Sequence, residues 1–226
     1  MFIPLRDENP TSRLPVLTIL LIAVNVAVFV LQAAVPQGLE LAAVRFGAVP
    51  YNITHFRSLS EATGFPPLLT LLTSMFLHGS LFHLLGNMLY LWIFGNNIED
   101  RLGPVRYLLF YLVCGAAAAL THILAQPGSR VPMIGASGAI AGVLGAYWAL
   151  FPRARIKTFV FLIFYIDVVP VPAGIVLGLW FLVQVLNVGM GGGVAWFAHI
   201  GGFLVGLLLI RLALGIAFRR PSSEAS

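Results

Sequence analysis

The sequence predicts an all-α polytopic membrane protein: a bundle of six transmembrane helices with a structured loop between the first two. Three observations predict it. Of 226 residues, 59% are hydrophobic and 9% charged, against about 25% charged in an average soluble domain, and a soluble fold of this length cannot hide that much apolar surface. The apolar residues fall into six runs separated by polar connections. Arginine and lysine collect in alternate connections, as the positive-inside rule requires of a chain threaded back and forth through a bilayer.

Residues 1–13 form a short polar segment containing Arg6, Asp7, Glu8, Asn9 and Arg13, expected in the cytoplasm. The run from Leu14 to Val35 is long enough to cross about 30 Å of hydrocarbon. It lacks a convincing signal-cleavage site and reads as a retained first span. Residues 36–73, with Arg45, Pro50, Asn52, His55, Arg57, Glu61, Gly64 and Pro66-Pro67, are too polar and too broken to span. Leu39, Leu41, Phe46, Tyr51, Phe56 and Phe65 nevertheless give this connection apolar faces, which suits a structured interfacial loop. Further spans are expected at 80–97, 105–125, 137–151, 171–187 and 194–218, so that a membrane domain occupies 14–218 and a short cytoplasmic tail 219–226. Ile156 to Ile166 is also apolar but short, and Asp167, Pro170 and Pro172 follow it. It reads as interfacial or re-entrant; if it spanned, the count would be seven.

Charge supports six. With the N-terminus inside, Arg6, Arg13, Arg101, Arg106, Arg153, Arg155, Lys157, Arg219 and Arg220 fall on the cytoplasmic side and Arg45, Arg57 and Arg130 outside. Both termini are then cytoplasmic. The formal charge of +5 comes from 13 scattered basic residues, which argues for membrane orientation and against nucleic acid. Cys114, the single cysteine, excludes an intrachain disulfide and reads as a packing residue.

Polar residues at membrane depth are costly and usually functional. Ser137 lies in Gly135-Ala136-Ser137-Gly138, and the 15 residues from Ser137 to Phe151 give about 22 Å of helix, roughly 8 Å short of the hydrocarbon thickness. Ser137 should therefore start its helix below the outer surface. Counting along the sixth and second spans places His199 about 9 Å down, and His83 and Asn87 about 4.5 and 10 Å down, so the four converge on one level. Small residues at four-residue spacing, Gly138 and Gly142 on one helix and Ala198, Gly202 and Gly206 on the other, allow close approach. Each stripe begins beside Ser137 or His199.

A buried serine needs a base to become a nucleophile, and only a histidine is at hand, since Glu99, Asp100 and Asp167 are assigned to the cytoplasmic end. The pattern predicts a membrane-embedded hydrolase with a Ser-His dyad and no acidic third member. His83 and Asn87 share a helix face. They read either as hydrogen-bonded core residues or as donors to a developing oxyanion, and their shared level with Ser137 favours the second. His78 and Ser80 are expected to fix the adjoining loop, while His55 and His122 have no partner evident in the sequence. A zinc site built from His78, His83 and His199 would lack the His-x-x-x-His helix pair and its glutamate base, so no metal and no cofactor is expected.

With these motifs the chain resembles the rhomboid family of intramembrane serine proteases, in its prokaryotic type. The resemblance runs from Pro4 to about residue 215 through Ile3-Pro4-Leu5-Arg6-Asp7, Met75-Phe76-Leu77-His78-Gly79, His83-Leu84-Leu85-Gly86-Asn87, Gly95-Asn96-Asn97-Ile98-Glu99-Asp100, Gly135-Ala136-Ser137-Gly138 and Ala198-His199-Ile200-Gly201-Gly202. It implies Ser137 as nucleophile, His199 as general base, His83, Asn87 and the Ser137 backbone N–H as oxyanion hole, and Glu99 as a structural tie. It further implies cleavage of single-span membrane proteins near the outer face, a bilayer-embedded site with small residues preferred at the cut, and residence in a bacterial cytoplasmic membrane. The alternative is a non-catalytic rhomboid-like protein that binds or chaperones transmembrane helices; such relatives lack the serine or the histidine, and both are present here. One position departs from the pattern. Some members place an aromatic one turn after the serine, stacked on the histidine; here it is Ala141, leaving Trp180, Phe181 or Trp196 as candidates to orient His199.

Overall fold

A computed structural model of the chain describes residues 2–56, 65–162, 165–190 and 193–215. Strand β1, Phe2–Asp7, precedes helix α1, Val16–Ala33. The long connection then forms α2, Gly38–Phe46, and α3, Pro50–His55, followed by 3-10 turns at Pro67–Leu69 and Ser74–Phe76 around α4, Thr70–Thr73. The expected structured loop is present; Arg57, Glu61 and Gly64 lie outside the described residues. Two long helices follow, α5 at Leu81–Leu102 and α6 at Pro104–Ala125, then α7 at Ser137–Leu150. Strands β2, Arg155–Leu162, and β3, Tyr165–Pro172, lead to α8, Ala173–Leu186, and α9, Trp196–Ala213. The end of the expected sixth span and the tail with Arg219 and Arg220 fall outside the described residues.

Among the described residues, α1, α6 and α9 are each long and apolar enough to cross a membrane, and α5 reaches that standard together with the Pro67–Phe76 segment, from which it bends by 79°. Helices α7 and α8 are apolar but only 14 residues each, about 21 Å. The chain is thus a helical membrane bundle with three to four spans by length and composition.

Helix boundaries follow local chemistry. Ser80 caps α5, its hydroxyl accepting from His83 N–H at 3.1 Å. Gly103, at φ +74, ends α5, and Pro104 opens α6 at the position where a missing N–H costs nothing. Glu99 accepts from the N–H groups of Leu17 and Thr18 at 2.9 and 2.8 Å and from Thr18 Oγ1 at 2.8 Å. Its carboxylate satisfies orphan donors at the start of α1 and ties α1 to α5, as the resemblance implied. At the bundle's centre Ala139 to Tyr147 of α7 are all buried, the condition of a helix apolar on every side. Cys114 is buried against Gly142, a packing residue as expected.

The all-α expectation is corrected. The strands form an antiparallel sheet in the order β1-β2-β3, with Phe2 opposite Val160, Asp7 opposite Ile156 and Arg155 opposite Pro172. The 156–166 segment, read as interfacial or re-entrant, lies where described in the paired strands, in β2 up to Leu162 and in the start of β3 from Tyr165. Hydropathy counts its apolar residues but ignores their conformation; the β-branched and aromatic run Ile156, Thr158, Phe159, Val160 and Phe161 favours extended chain, and β1 pairs its outer edge. Asp7, at the end of β1, accepts from Asn97 Nδ2 at 2.6 Å and from the Tyr147 hydroxyl at 3.0 Å, fastening the sheet to α5 and α7. Burial pushes the Asp7 carboxyl up from its ordinary range, against the lowering effect of those two hydrogen bonds. The sheet, the α5–α6 turn and the α7–β2 turn therefore share one end of the bundle, and the site lies at the other.

Candidate active site

Ser137 is the first residue of α7, His199 the fourth of α9, and His83 and Asn87 the third and seventh of α5. Three helix N-termini thus present the four residues at one level. The connection leading to Ser137 is anchored by a bridge between Ala48 and Met133, with N–H···O distances of 3.0 and 2.8 Å, and by Gly135 N–H donating to Ser74 O at 2.9 Å. Gly135 has φ +121, a region that favours glycine. A Cβ there would lie 2.8 Å from both Cε1 and Nε2 of His83 and 3.6 Å from Ser137 Oγ. Glycine is what lets the His83 ring close on the serine's turn.

The expected stripes do meet. A Cβ on Gly202 would strike the carbonyl oxygen of Gly138, and one on Gly206 that of Gly142, so α7 and α9 touch backbone to backbone. In that register Ser137 Oγ lies 2.8 Å from His199 Nε2. His199 Nδ1 lies 2.7 Å from Oε1 of Gln184 on α8, and Gln184 Nε2 donates to Trp180 O at 2.9 Å. Of the aromatics named as candidates, Trp180 and Trp196 have ring centroids 5.8 and 6.2 Å from that of His199. Phe181 packs instead on Phe203, at 4.7 Å. Gln184 was missed in the sequence, although a signal existed: it is the amide set into the apolar run of the fifth expected span, two residues before the last residue of α8.

All four predicted residues line one cavity of about 950 Å³, together with Gly135, His122, Trp180 and Trp196. Ser137, His83 and His199 are half-buried. Asn87 is buried, and its amide nitrogen donates to no atom among the described residues, leaving a donor of the kind a developing anion requires. His122 reaches the same cavity, and its Nδ1 has no hydrogen-bond partner among the described residues. Of His78 and Ser80, expected to fix the adjoining loop, Ser80 caps α5 and His78 offers only its backbone N–H, 3.3 Å from Gln32 Oε1; the His78 ring, whose nitrogens bond to no atom among the described residues, packs 5.1 Å from that of His83. His55 lies elsewhere, stacked on Tyr51 at 4.2 Å. Among the described residues no group of three His, Cys, Asp or Glu is arranged to hold a metal ion.

A serine–histidine contact set in a cavity at one end of a helical membrane bundle defines a class of membrane-embedded protein, and sequence comparison places the chain within it. Residues 67–216 match the family model described as Rhomboid domain: the chain belongs to the rhomboid family. It is 35% identical over 149 residues to Rhomboid protein 1, mitochondrial, of Saccharomyces cerevisiae, covering 62% of this chain and 40% of that protein. It is also 35% identical over 148 residues to RHOMBOID-like protein 4 of Arabidopsis thaliana, covering 62% and 32%, and 32% identical over 142 residues to the human Presenilin-associated rhomboid-like protein, mitochondrial, covering 61% and 36%. The match spans two fifths or less of these curated relatives. All three are eukaryotic, and the expectations of a prokaryotic type and a bacterial cytoplasmic membrane find no support in them.

Proposed function

We propose that the chain is an intramembrane serine endopeptidase that cleaves transmembrane segments of single-span membrane proteins near the outer face of the bilayer. The observation that carries this reading is the 2.8 Å contact between Ser137 Oγ and His199 Nε2. Ser137 attacks the scissile carbonyl carbon while His199 takes the hydroxyl proton, then returns it to the leaving amine as the peptide bond breaks; water and the same histidine release the acyl group. Asn87, His83 and the Ser137 N–H, which opens a helix and has no intrahelical acceptor, stabilise the oxyanion.

In this reading α1, α5, α6, α7, α8 and α9 are six spans of a membrane domain covering 14–218, the short α7 and α8 being submerged at their site ends. Arg6, Arg13, Arg101, Arg106, Arg153, Arg155 and Lys157 all belong to the sheet end, which the positive-inside rule makes cytoplasmic. The Ser137–His199 contact supports this reading over a non-catalytic helix-binding role, which does not require a serine hydroxyl aligned on an imidazole.

The test is incubation of the full chain in lipid with a panel of single-span membrane proteins, mapping every cut. Ser137→Ala and His199→Ala should each abolish cleavage while leaving an inserted, folded protein, and the double variant should be no worse than either, because the two residues act as one unit. Turnover near wild type in either single variant overturns the assignment.

A further inference from the structure

We propose that Gln184 is a positioning residue for His199, a neutral third member that sets the imidazole's tautomer and tilt where the chain has Ala141 in place of an aromatic. The inference rests on the protease reading and adds a residue to it.

The hydrogen-bond bookkeeping permits one assignment. Trp180 O is a backbone carbonyl and can only accept, so the Gln184 atom 2.9 Å from it is the amide nitrogen. The amide's other terminus, 2.7 Å from His199 Nδ1, is therefore the oxygen, and it too can only accept. Nδ1 must carry the proton. In a neutral imidazole Nε2 is then the acceptor, and Nε2 is the nitrogen 2.8 Å from Ser137 Oγ. The chain Ser137 O–H to His199 Nε2, His199 Nδ1–H to Gln184 Oε1, and Gln184 Nε2–H to Trp180 O is continuous and correctly polarised. It delivers the one tautomer able to take the serine's proton.

Gln184 is itself held. It is 5% exposed, and its bond to Trp180 O lies one turn back along α8, so the amide cannot rotate without leaving a buried N–H unpaired. Trp180 packs on Phe203 and faces the His199 ring, limiting the imidazole from the side. An acidic partner would do the same for the tautomer and would add charge. A neutral amide in a membrane-embedded site avoids the cost of a buried carboxylate.

The experiment reads the tautomer directly. The full chain carrying 15N-labelled imidazoles is reconstituted in bilayers, and the two ring-nitrogen resonances of His199 are assigned by their loss in His199→Gln. Wild type should show a protonated Nδ1 and an unprotonated Nε2. Gln184→Met, close in length and unbranched, should give a mixture of tautomers. Reaction with a fluorophosphonate, in which Ser137 Oγ bonds to phosphorus, fluoride departs and the proton passes to His199, should slow about tenfold or more, the scale of one lost hydrogen bond to a reacting group. Gln184→Glu retains an acceptor and should restore both the Nδ1–H resonance and the labelling rate. A His199 that keeps its tautomer and its labelling rate in Gln184→Met overturns the inference, as does a Gln184→Glu variant that is folded but has lost the Nδ1 proton. If Gln184→Met does not fold, Gln184→Glu alone decides by the same resonance. Failure of the protease reading is seen separately: wild type would neither cleave nor label at Ser137, while the His199 spectrum still reports the Gln184 contact.

Discussion

At the scale of single residues, the two proposed oxyanion donors differ in what else they do. The Asn87 amide nitrogen is buried and donates to no described atom, so its truncation strands no partner. The His83 ring lies against Gly135 and packs on His78, so its truncation also opens a hole. Asn87→Ala should therefore lower kcat by about 10² to 10³ with the melting temperature almost unmoved, whereas His83→Ala should lower both. Thermal unfolding and turnover measured on the same preparations separate the effects. An Asn87→Ala protein that melts several degrees lower yet keeps its specific activity would make Asn87 a structural residue.

At the scale of elements, the site depends on how closely α7 and α9 approach, because Ser137 and His199 reach each other only when the two backbones touch. Gly206→Ala places a methyl against the carbonyl of Gly142, a backbone atom that cannot step aside. The helices must separate or slide. Cleavage should fall by orders of magnitude although Gly206 lies about two turns from His199. Gly178 on α8 provides the control, since a Cβ there meets nothing within 4 Å among the described residues. Gly178→Ala should keep its activity and gain up to about 1 kcal/mol from helix propensity. Equal activity in the two variants would show that the α7–α9 contact does not govern the dyad.

At the scale of the whole molecule, the arrangement of short α7 beside longer spans sets the demand on the substrate. A peptide bond within an intact helix is hydrogen-bonded and shielded, so under the proposed activity a transmembrane substrate must unwind to reach Ser137. In lipid each backbone group so exposed costs several kcal/mol unless something satisfies it, and the cavity around Ser137, Asn87 and His83 offers that place. Residues that weaken helices lower the cost, Gly by about 1 kcal/mol relative to Ala and Pro by about 3. Introducing either a few positions past the cut should speed cleavage, and replacing native helix breakers with Leu or Ala should slow it. A matched substrate series in one lipid, with residues at the cut held constant, is the check; rates independent of helix stability would mean that unwinding is not limiting.

Read alone, the sequence determined the solvent, the positions of the apolar helices α1 and α5 to α9, and four of the residues that line the cavity. Each of these is written locally: apolar runs measure themselves against hydrocarbon thickness, small residues mark close contacts, and Ser137, His199, His83 and Asn87 stand out because polar groups at membrane depth are costly. The helix α5 ran on to Leu102, beyond the expected 97, because Glu99 and Asn97 find partners in Thr18 and Asp7 that composition cannot foresee. Only tertiary structure could decide the rest. The sheet joins Phe2–Asp7 to a hairpin some 150 residues later, and strand pairing at that distance leaves no periodic signal in either segment. Gln184 was legible as a polar residue in an apolar run, but its bond to His199 depends on how α8 lies against α9. An imidazole's proton is placed by whichever group faces its far nitrogen, and that is a fact of packing.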